Sequence, residues 1–491
     1  MKKGQTFTGL VESIAFPNKG RVRVISDASA NTDASSYITV KNTIPGQTIS
    51  GQINKIKHGN AEARVIEILE PSPLQLEEPN CPHDGVCGGC LYQSLPYDAQ
   101  IDIKKDQIRE LFAPVLGEDA FNEIFEGIKA SPVTSGYRNK MELSFGDSAK
   151  GGPLTLGMHK RGSFYDVVNV PDCQIMDADM RAVADVTLAF FSELGADYYH
   201  KLSHEGYLRH LLIRKAKRTG ETLVDLVTSS QWQNAWGDEA AVMADYAGAV
   251  LEAVENSLMA DEYAIGHVAG ILHTRNDSLA DAVMDQGTDI LYGQDYFYEK
   301  LLGLKFKITP FSFFQTNSLG AEVLYETARE YILDGVGKAQ KSGESYLGST
   351  VYDLYSGTGT IAQMMAPACN HVIGVEIVKE AVEAAKENAA LNGLNNCDFI
   401  AGDVLKVLDD IEEKPDYIIL DPPRDGIHPK ALPKIIAYGV DALVYISCKP
   451  TSLARDLISF MEAGYKPVRM CCVDMFPNTT GIETVCLLNK E

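Results

Sequence analysis

No stretch of the 491-residue chain approaches the roughly 18 consecutive apolar residues of a membrane span. The opening Met1-Lys2-Lys3-Gly4-Gln5-Thr6 has two lysines but no apolar run behind them, so no secretory signal is expected there. Cysteine is sparse. Ten cysteines scattered over this length do not make a disulfide scaffold, and a reducing cytoplasm is the expected setting. In that setting a local cysteine cluster points to metal or catalysis. Positive charge is also short, with 44 Lys and Arg against 67 Asp and Glu and a net of −23. A uniformly acidic protein repels nucleic acid, so any RNA binding needs local basic charge. Such charge exists. Residues 1–75 carry nine Lys and Arg and six Asp and Glu. A second basic run is Arg209, Arg214, Lys215, Lys217 and Arg218. Either run alone could equally be a solvated face.

What is present is an ordinary globular composition, 45% hydrophobic and 23% charged. The length suggests three domains, with boundaries expected at 1–70, 71–308 and 309–491. Short strands are expected at Phe7–Ile14, Gly20–Ile25, Ser36–Val40, Thr48–Ile56 and Ala61–Leu69. Five such strands suggest a small OB-like barrel, an architecture that often binds oligonucleotides. Pro71-Ser72-Pro73 and Glu77-Glu78-Pro79 read as a linker. Residues 99–115 then carry Ile101, Ile108, Leu111 and Phe112 at helical spacing, and this helix could dock on the last domain. Residues 130–310 read as mixed α+β, with strand-like Lys140–Phe145 and Leu223–Thr228.

From Ser349 the pattern turns to strand, helix, strand. Val351–Leu354, His371–Val375, Asp398–Ile400, Tyr417–Leu420 and Leu443–Ile446 are short apolar runs, several separated by helices such as Lys379–Asn392. This predicts a Rossmann-like α/β domain with a parallel sheet. Asp353-Leu354-Tyr355-Ser356-Gly357-Thr358-Gly359-Thr360 leaves the first strand, and Glu376 ends the second, where a carboxylate can hold two ribose hydroxyls. The glycines alone are a weak signal, because Ala362 stands where a dinucleotide fingerprint has its third glycine. Ligands in such sheets sit at the carboxyl ends of the strands. Asp353, Glu376, Asp403, Asp421 and Cys448 lie at or near the ends of successive expected strands. The last strand, Thr484–Leu488, is expected antiparallel, so Glu483 opens it at the same edge as Cys448. A thiol and a carboxylate there suit carbon-5 methylation of uracil. A thiolate adding at carbon 6 activates carbon 5, and a base later removes the carbon-5 proton. A lone cysteine at a strand end could instead be only a small buried hydrophobe.

Cys81-x5-Cys87-x2-Cys90 is a second signal, with Cys173 the next cysteine along. The spacing allows structural zinc, with Cys173 or His83 as fourth ligand, or an iron–sulfur cluster on four cysteines.

Phe313-Phe314-Gln315-Thr316-Asn317, Asp353–Thr360, Asp421-Pro422-Pro423-Arg424, Ser447-Cys448-Lys449-Pro450 and Glu483-Thr484-Val485 carry a family resemblance. With them, nearly the whole chain resembles the RNA uracil-5-methyltransferases. That resemblance implies a class I S-adenosylmethionine methyltransferase domain, a TRAM barrel at residues 1–70, Cys448 as nucleophile and Glu483 as general base. It implies cofactor contacts from Gln315, Tyr355, Glu376, Asp403 and Asp421. It makes Phe313 a candidate to stack a flipped base. It also implies a [4Fe–4S] cluster on Cys81, Cys87, Cys90 and Cys173, as in the cluster-bearing branch that mostly modifies 23S rRNA. The expected partner is therefore RNA, 23S rRNA ahead of a tRNA loop, bound by a cytoplasmic monomer. A non-catalytic RNA-binding assembly factor is the rival of another class. Adenine amine methylation, suggested by Asp421-Pro422-Pro423, is disfavoured because Arg424 replaces the stacking aromatic. Family members commonly have a histidine two residues before the glutamate, and here that position is Gly481.

Overall fold

The computed structural model describes residues 2–27, 37–260, 266–280, 282–339 and 349–491. Five strands, β1 (Thr6–Ala15), β2 (Lys19–Asp27), β3 (Tyr37–Lys41), β4 (Thr48–Lys57) and β5 (Asn60–Glu70), close a barrel in the order β1-β2-β3-β5-β4. The alternation that predicted them is the alternation that fills it. Phe7, Val11, Val22, Val40 and Ile49 point inward and form its core. Ser36, the expected start of the third strand, lies outside the described residues.

Helix α1 (Tyr97–Leu116) follows, with a short strand, β6 (Phe125–Lys129), after it. α1 buries Ile108 and Phe112 in the same core as Leu453, Leu457 and Phe460 of the helix Pro450–Glu462. This segment therefore packs with the carboxy-terminal sheet.

The middle of the chain forms a seven-stranded sheet. Its strands are β7 (Lys140–Gly146), β8 (Thr155–His159), β9 (Val167–Asn169), β10 (Leu208–Lys215), β11 (Glu221–Thr228), β12 (His267–Arg275) and β13 (Thr288–Gly293). They lie in the order β13-β12-β11-β10-β7-β8-β9, with only β11 and β12 parallel. The helices Ala178–Leu194 and Glu239–Met259 share their core with this sheet. A two-stranded hairpin, β14 (Phe297–Leu301) and β15 (Leu304–Ile308), leads into the last part.

The final sheet is built from β16 (Thr350–Leu354), β17 (His371–Glu376), β18 (Cys397–Ala401), β19 (Tyr417–Leu420), β20 (Ala442–Ser447), β21 (Tyr465–Val473) and β22 (Glu483–Lys490). Its order is β18-β17-β16-β19-β20-β22-β21-β6. The first five strands are parallel, and β22 is antiparallel to both neighbours. β21 lacks a clear signal because Lys466, Pro467 and Arg469 interrupt its apolar pattern. β6 adds a further strand beside β21 from some 340 residues earlier in the chain, a pairing no local pattern can show. No helix among the described residues is long and apolar enough to cross a membrane.

The second basic run is a structural feature, which corrects its expected role in RNA binding. β10 runs through the middle of its sheet, so its side chains are covered. Arg209 is buried and donates to the carbonyls of Asn276, Ser278 and Ala280. Arg214 is buried and donates to the carbonyls of Thr309 and Ser312. Lys215 pairs with Asp179 at 2.7 Å, Lys217 with Asp177, and Arg218 with Glu322 at 2.5 Å. These cations have protein partners, so the run is not a free basic surface.

Candidate active site

Strand β16 ends in a tight turn. Gly357 and Gly359 both have positive φ, and a Cβ at Gly359 would meet the Phe399 ring at 2.4 Å. Tyr355 also takes a positive φ of 70°, which non-glycine residues adopt rarely. Glu376 reaches back to this turn. Its carboxylate accepts from the amide of Gly357 at 3.1 Å and from that of Val378 at 2.9 Å. Asp403 caps the short helix after β18 by accepting from the Leu405 amide. Burial, with the Asp403 charge adding to it, raises the Tyr355 phenol to about 12, so these two side chains are neighbours. Asp353 is fully buried and accepts from the Ala362 amide at 2.9 Å through one oxygen, while its other oxygen has no partner. Burial and nearby Asp421 raise it to about 8.

The second half of the site lies where β20 and β22 meet. The last ladder pair at this edge is Ser447 with Thr484. One step further in that register places Cys448 opposite Glu483, which is how residues 35 apart in sequence come to share a pocket. Cys448 is half-buried, and Glu483 is 3% exposed. Burial pushes the Cys448 thiol up to about 11, with Glu483 and Asp421 adding to the rise. Arg424 opposes it through its charge and a hydrogen bond. Glu483 is raised well above the usual carboxylate range by burial and by Asp421, again opposed by Arg424. Asp421 itself is pushed to about 7 by burial.

The structure thus gathers Cys448, Glu483 and Asp421 at one point and Tyr355, Glu376 and Asp403 beside the glycine turn. Gln315 joins the first group through Tyr325, to which it hydrogen-bonds. Phe313 stands exposed, at 66%. Two members escaped the sequence reading. Tyr325, buried on the helix Ser318–Ala339, feels the charges of Asp421, Glu483 and Asp353. Arg424 was given no role of its own in the sequence reading, yet its charge acts on both the thiol and the carboxyl.

The glycine turn backed by Glu376 fits a nucleoside cofactor. Two backbone amides fix the carboxylate, and glycines leave room at the strand end.

Away from this site, Cys81, Cys87, Cys90 and Cys173 line one cavity together with His83, Met141, Met158 and Val170. All four are free thiols. Burial raises Cys87 and Cys173, and Cys90 to about 12. The Gly89 amide approaches the Cys87 sulfur at 3.3 Å, and His83 has a buried Nε2 without a partner. Among the described residues no group of three or more His, Cys, Asp or Glu is arranged to hold a metal ion. The cysteine loop is pinned to the end of β8, where the Gly88 amide donates to the His159 carbonyl and Arg161 donates to the Cys90 carbonyl. Beside it runs an open cleft with about 1230 Å³ of space, solvent mouth included. Lys19 and Lys41 of the barrel, Lys160 and Arg161 beyond β8, and Thr479 and Thr480 line it.

Residues 288–491 match the family model described as tRNA (Uracil-5-)-methyltransferase. A Clostridium tetani protein named an uncharacterized RNA methyltransferase is 44% identical over 100% of this chain and 99% of its own length. One from Caldanaerobacter subterraneus, also so named, is 43% identical over the whole of both chains. The chain belongs to the same family as these RNA methyltransferases. It is an RNA methyltransferase. Its fold matches the Pyrococcus abyssi tRNA (uracil-54, C5)-methyltransferase in complex with S-adenosyl-L-homocysteine. That match has a TM-score of 0.70 and 23% identity, covering 98% of this chain and 100% of the other.

Proposed function

We propose that the protein methylates carbon 5 of one uridine in 23S rRNA through a covalent Cys448–uracil adduct. The observation that carries this reading is the ladder register that sets Cys448 opposite Glu483 beside the glycine turn. Carbon 5 of uracil is a weak nucleophile. Cys448 Sγ, ionised by loss of its proton to water, bonds carbon 6 of a uridine turned out of its stack, leaving an enolate whose electron pair at carbon 5 forms the bond to the incoming methyl group. S-adenosylmethionine supplies the methyl group when bound, held by Glu376, Tyr355, Asp403, Gln315 and Asp421. Glu483 then takes the carbon-5 proton. The carbon–sulfur bond breaks, the double bond returns, and Cys448 leaves as thiolate. A carboxyl raised above the usual range is, once ionised, a stronger base than an exposed glutamate. Arg424 favours the ionised thiol. Phe313 offers an exposed ring on which the flipped base can stack.

RNA reaches this pocket along the cleft between barrel and cysteine loop, where Lys19, Lys41 and Lys160 supply cations for its phosphates. The barrel is read as a TRAM domain. The cysteine cavity is read as the seat of a [4Fe–4S] cluster on Cys81, Cys87, Cys90 and Cys173. Four thiols lining a cavity suit a multi-iron core. Such a cluster would hold the loop that walls the cleft, and no step above needs electron transfer. The rRNA assignment rests on that cysteine set, which resembles the cluster-bearing branch. The family description and the archaeal neighbour favour a tRNA loop as the second reading.

Mapping 5-methyluridine in rRNA and tRNA from a strain lacking the protein decides between the two substrates. With that unmethylated RNA, Cys448→Ala should give neither methylation nor adduct. Glu483→Gln should accumulate an adduct that survives denaturing electrophoresis and already carries the methyl group. Methylation by Cys448→Ala, or normal turnover by Glu483→Gln, would refute the assignment.

A further inference from the structure

Residues 474–482 link β21 to β22 and end at Glu483, so the conformation of this loop sets where that carboxyl points. The loop is held from outside the catalytic sheet. Lys104 of α1, 370 residues earlier, reaches in with its side chain fully buried. Its Nζ donates to Asp474 Oδ1 at 2.7 Å, to the Gly481 carbonyl at 3.0 Å and to the Phe476 carbonyl at 3.4 Å. Asp474 is the residue after β21, and Gly481 lies two residues before Glu483. One ammonium therefore ties the start of the loop to its end.

Neighbouring contacts tighten the same loop. Gln100, one turn earlier on α1, donates to Asn478 Oδ1 at 3.0 Å and accepts from the Asn478 amide at 2.8 Å. The loop is closed so tightly at its end that a Cβ at Gly481 would meet Phe476 Cδ2 at 2.8 Å. A fully buried lysine–carboxylate pair is an expensive way to join a helix to a loop, since an apolar pair of similar volume is often as stable or more so. What the pair does that an apolar contact cannot is hold a backbone carbonyl in place by a directed hydrogen bond.

We propose that Lys104 is a positioning residue for Glu483, fixing the carboxyl over the reacting carbon through the Gly481 carbonyl and Asp474. The proposal rests on the reading of Glu483 as the base that resolves the adduct. Its consequence is specific. Loosening the clamp leaves Cys448 and methyl transfer intact and slows only the step after them.

The test is Lys104→Met combined with Asp474→Asn, which removes the pair without leaving a buried lone charge. It uses the full-length protein, a radiolabelled methyl donor, and RNA from a strain lacking the protein. The expected result is turnover about 10- to 100-fold slower, with KM for RNA falling in step and kcat/KM unchanged, because only a step after adduct formation is slowed. A denaturation-resistant adduct carrying the methyl group should build up. A merely structural role would instead slow adduct formation and release together, and that result overturns the proposal, as does release at the wild-type rate. If the double variant does not fold, Gly481→Ala decides. Its added carbon crowds Phe476 and Thr479 and so displaces the loop that Lys104 holds without touching the charges, and the same two outcomes apply. Glu483→Gln run alongside separates the two ideas. If it accumulates methylated adduct while the clamp variants do not, Lys104 alone is misassigned. If it does not, the base assignment has failed and this proposal falls with it.

Discussion

The Cys448 thiol should be a poor nucleophile in the ligand-free protein. Burial, Glu483 and Asp421 together raise it to about 11 from the ordinary 9.0. At pH 7.5 about one thiol in three thousand is then ionised, against about one in thirty for an unperturbed cysteine. The thiolate that does form is the better nucleophile, by roughly six- to tenfold over two pKa units. The two effects leave thiol–disulfide exchange at Cys448 about 10- to 15-fold slower than at an unperturbed thiol. The assay is reaction with a small disulfide reagent, read at the Cys448 peptide by mass spectrometry so that the other nine cysteines do not interfere. The rate should climb about tenfold per pH unit from pH 7 to 10, because the reactive form is the deprotonated one and its pKa lies above that window. Glu483→Gln removes a negative neighbour and should speed the reaction near pH 8. Arg424→Gln removes the opposing cation and should slow it. A plateau below pH 9 would refute the reasoning, showing that the site ionises its nucleophile before substrate arrives.

The corrected map of positive charge makes a separate prediction. Replacing Lys19, Lys41 and Lys160 together by Glu should weaken RNA binding and flatten its dependence on salt by a slope of about 2 to 3, as expected for three lost phosphate contacts. Arg218→Ala should leave RNA affinity unchanged, since that side chain pairs with Glu322, whereas Lys215→Met should lower the melting temperature. For the cysteine cavity, protein purified without oxygen should be brown with about four irons per chain. Colourless protein with one zinc would overturn the cluster assignment and turn attention to His83.

Local pattern was enough wherever an element makes its contacts with its own neighbours. The barrel strands alternate because one face of each is interior, and β16, β19 and β20 are buried along their length because both faces are covered. Their bounds came out within one or two residues, as did the antiparallel last strand. The strand-end residues Asp353, Glu376, Asp403, Asp421 and Cys448 were legible for the same reason, since a parallel sheet brings its carboxyl ends to one edge by construction. Charge was not legible in this way. The Arg209–Arg218 run looks like a phosphate-binding stripe, but strand position decides whether a cation meets water, and β10 lies inside its sheet. The basic cleft needed three distant segments to converge. Tyr325 sits in the site because a helix lies across the sheet, and β6 joins that sheet from across the chain. Lys104 reads in sequence as one more polar residue on an amphipathic helix. Only the packing of α1 against the β21–β22 loop turns it into a buried clamp. Sequence determined the chemistry carried at the strand ends. Tertiary structure decided which charges are spent on the fold and which remain for a substrate, because burial and pairing belong to the assembled chain alone.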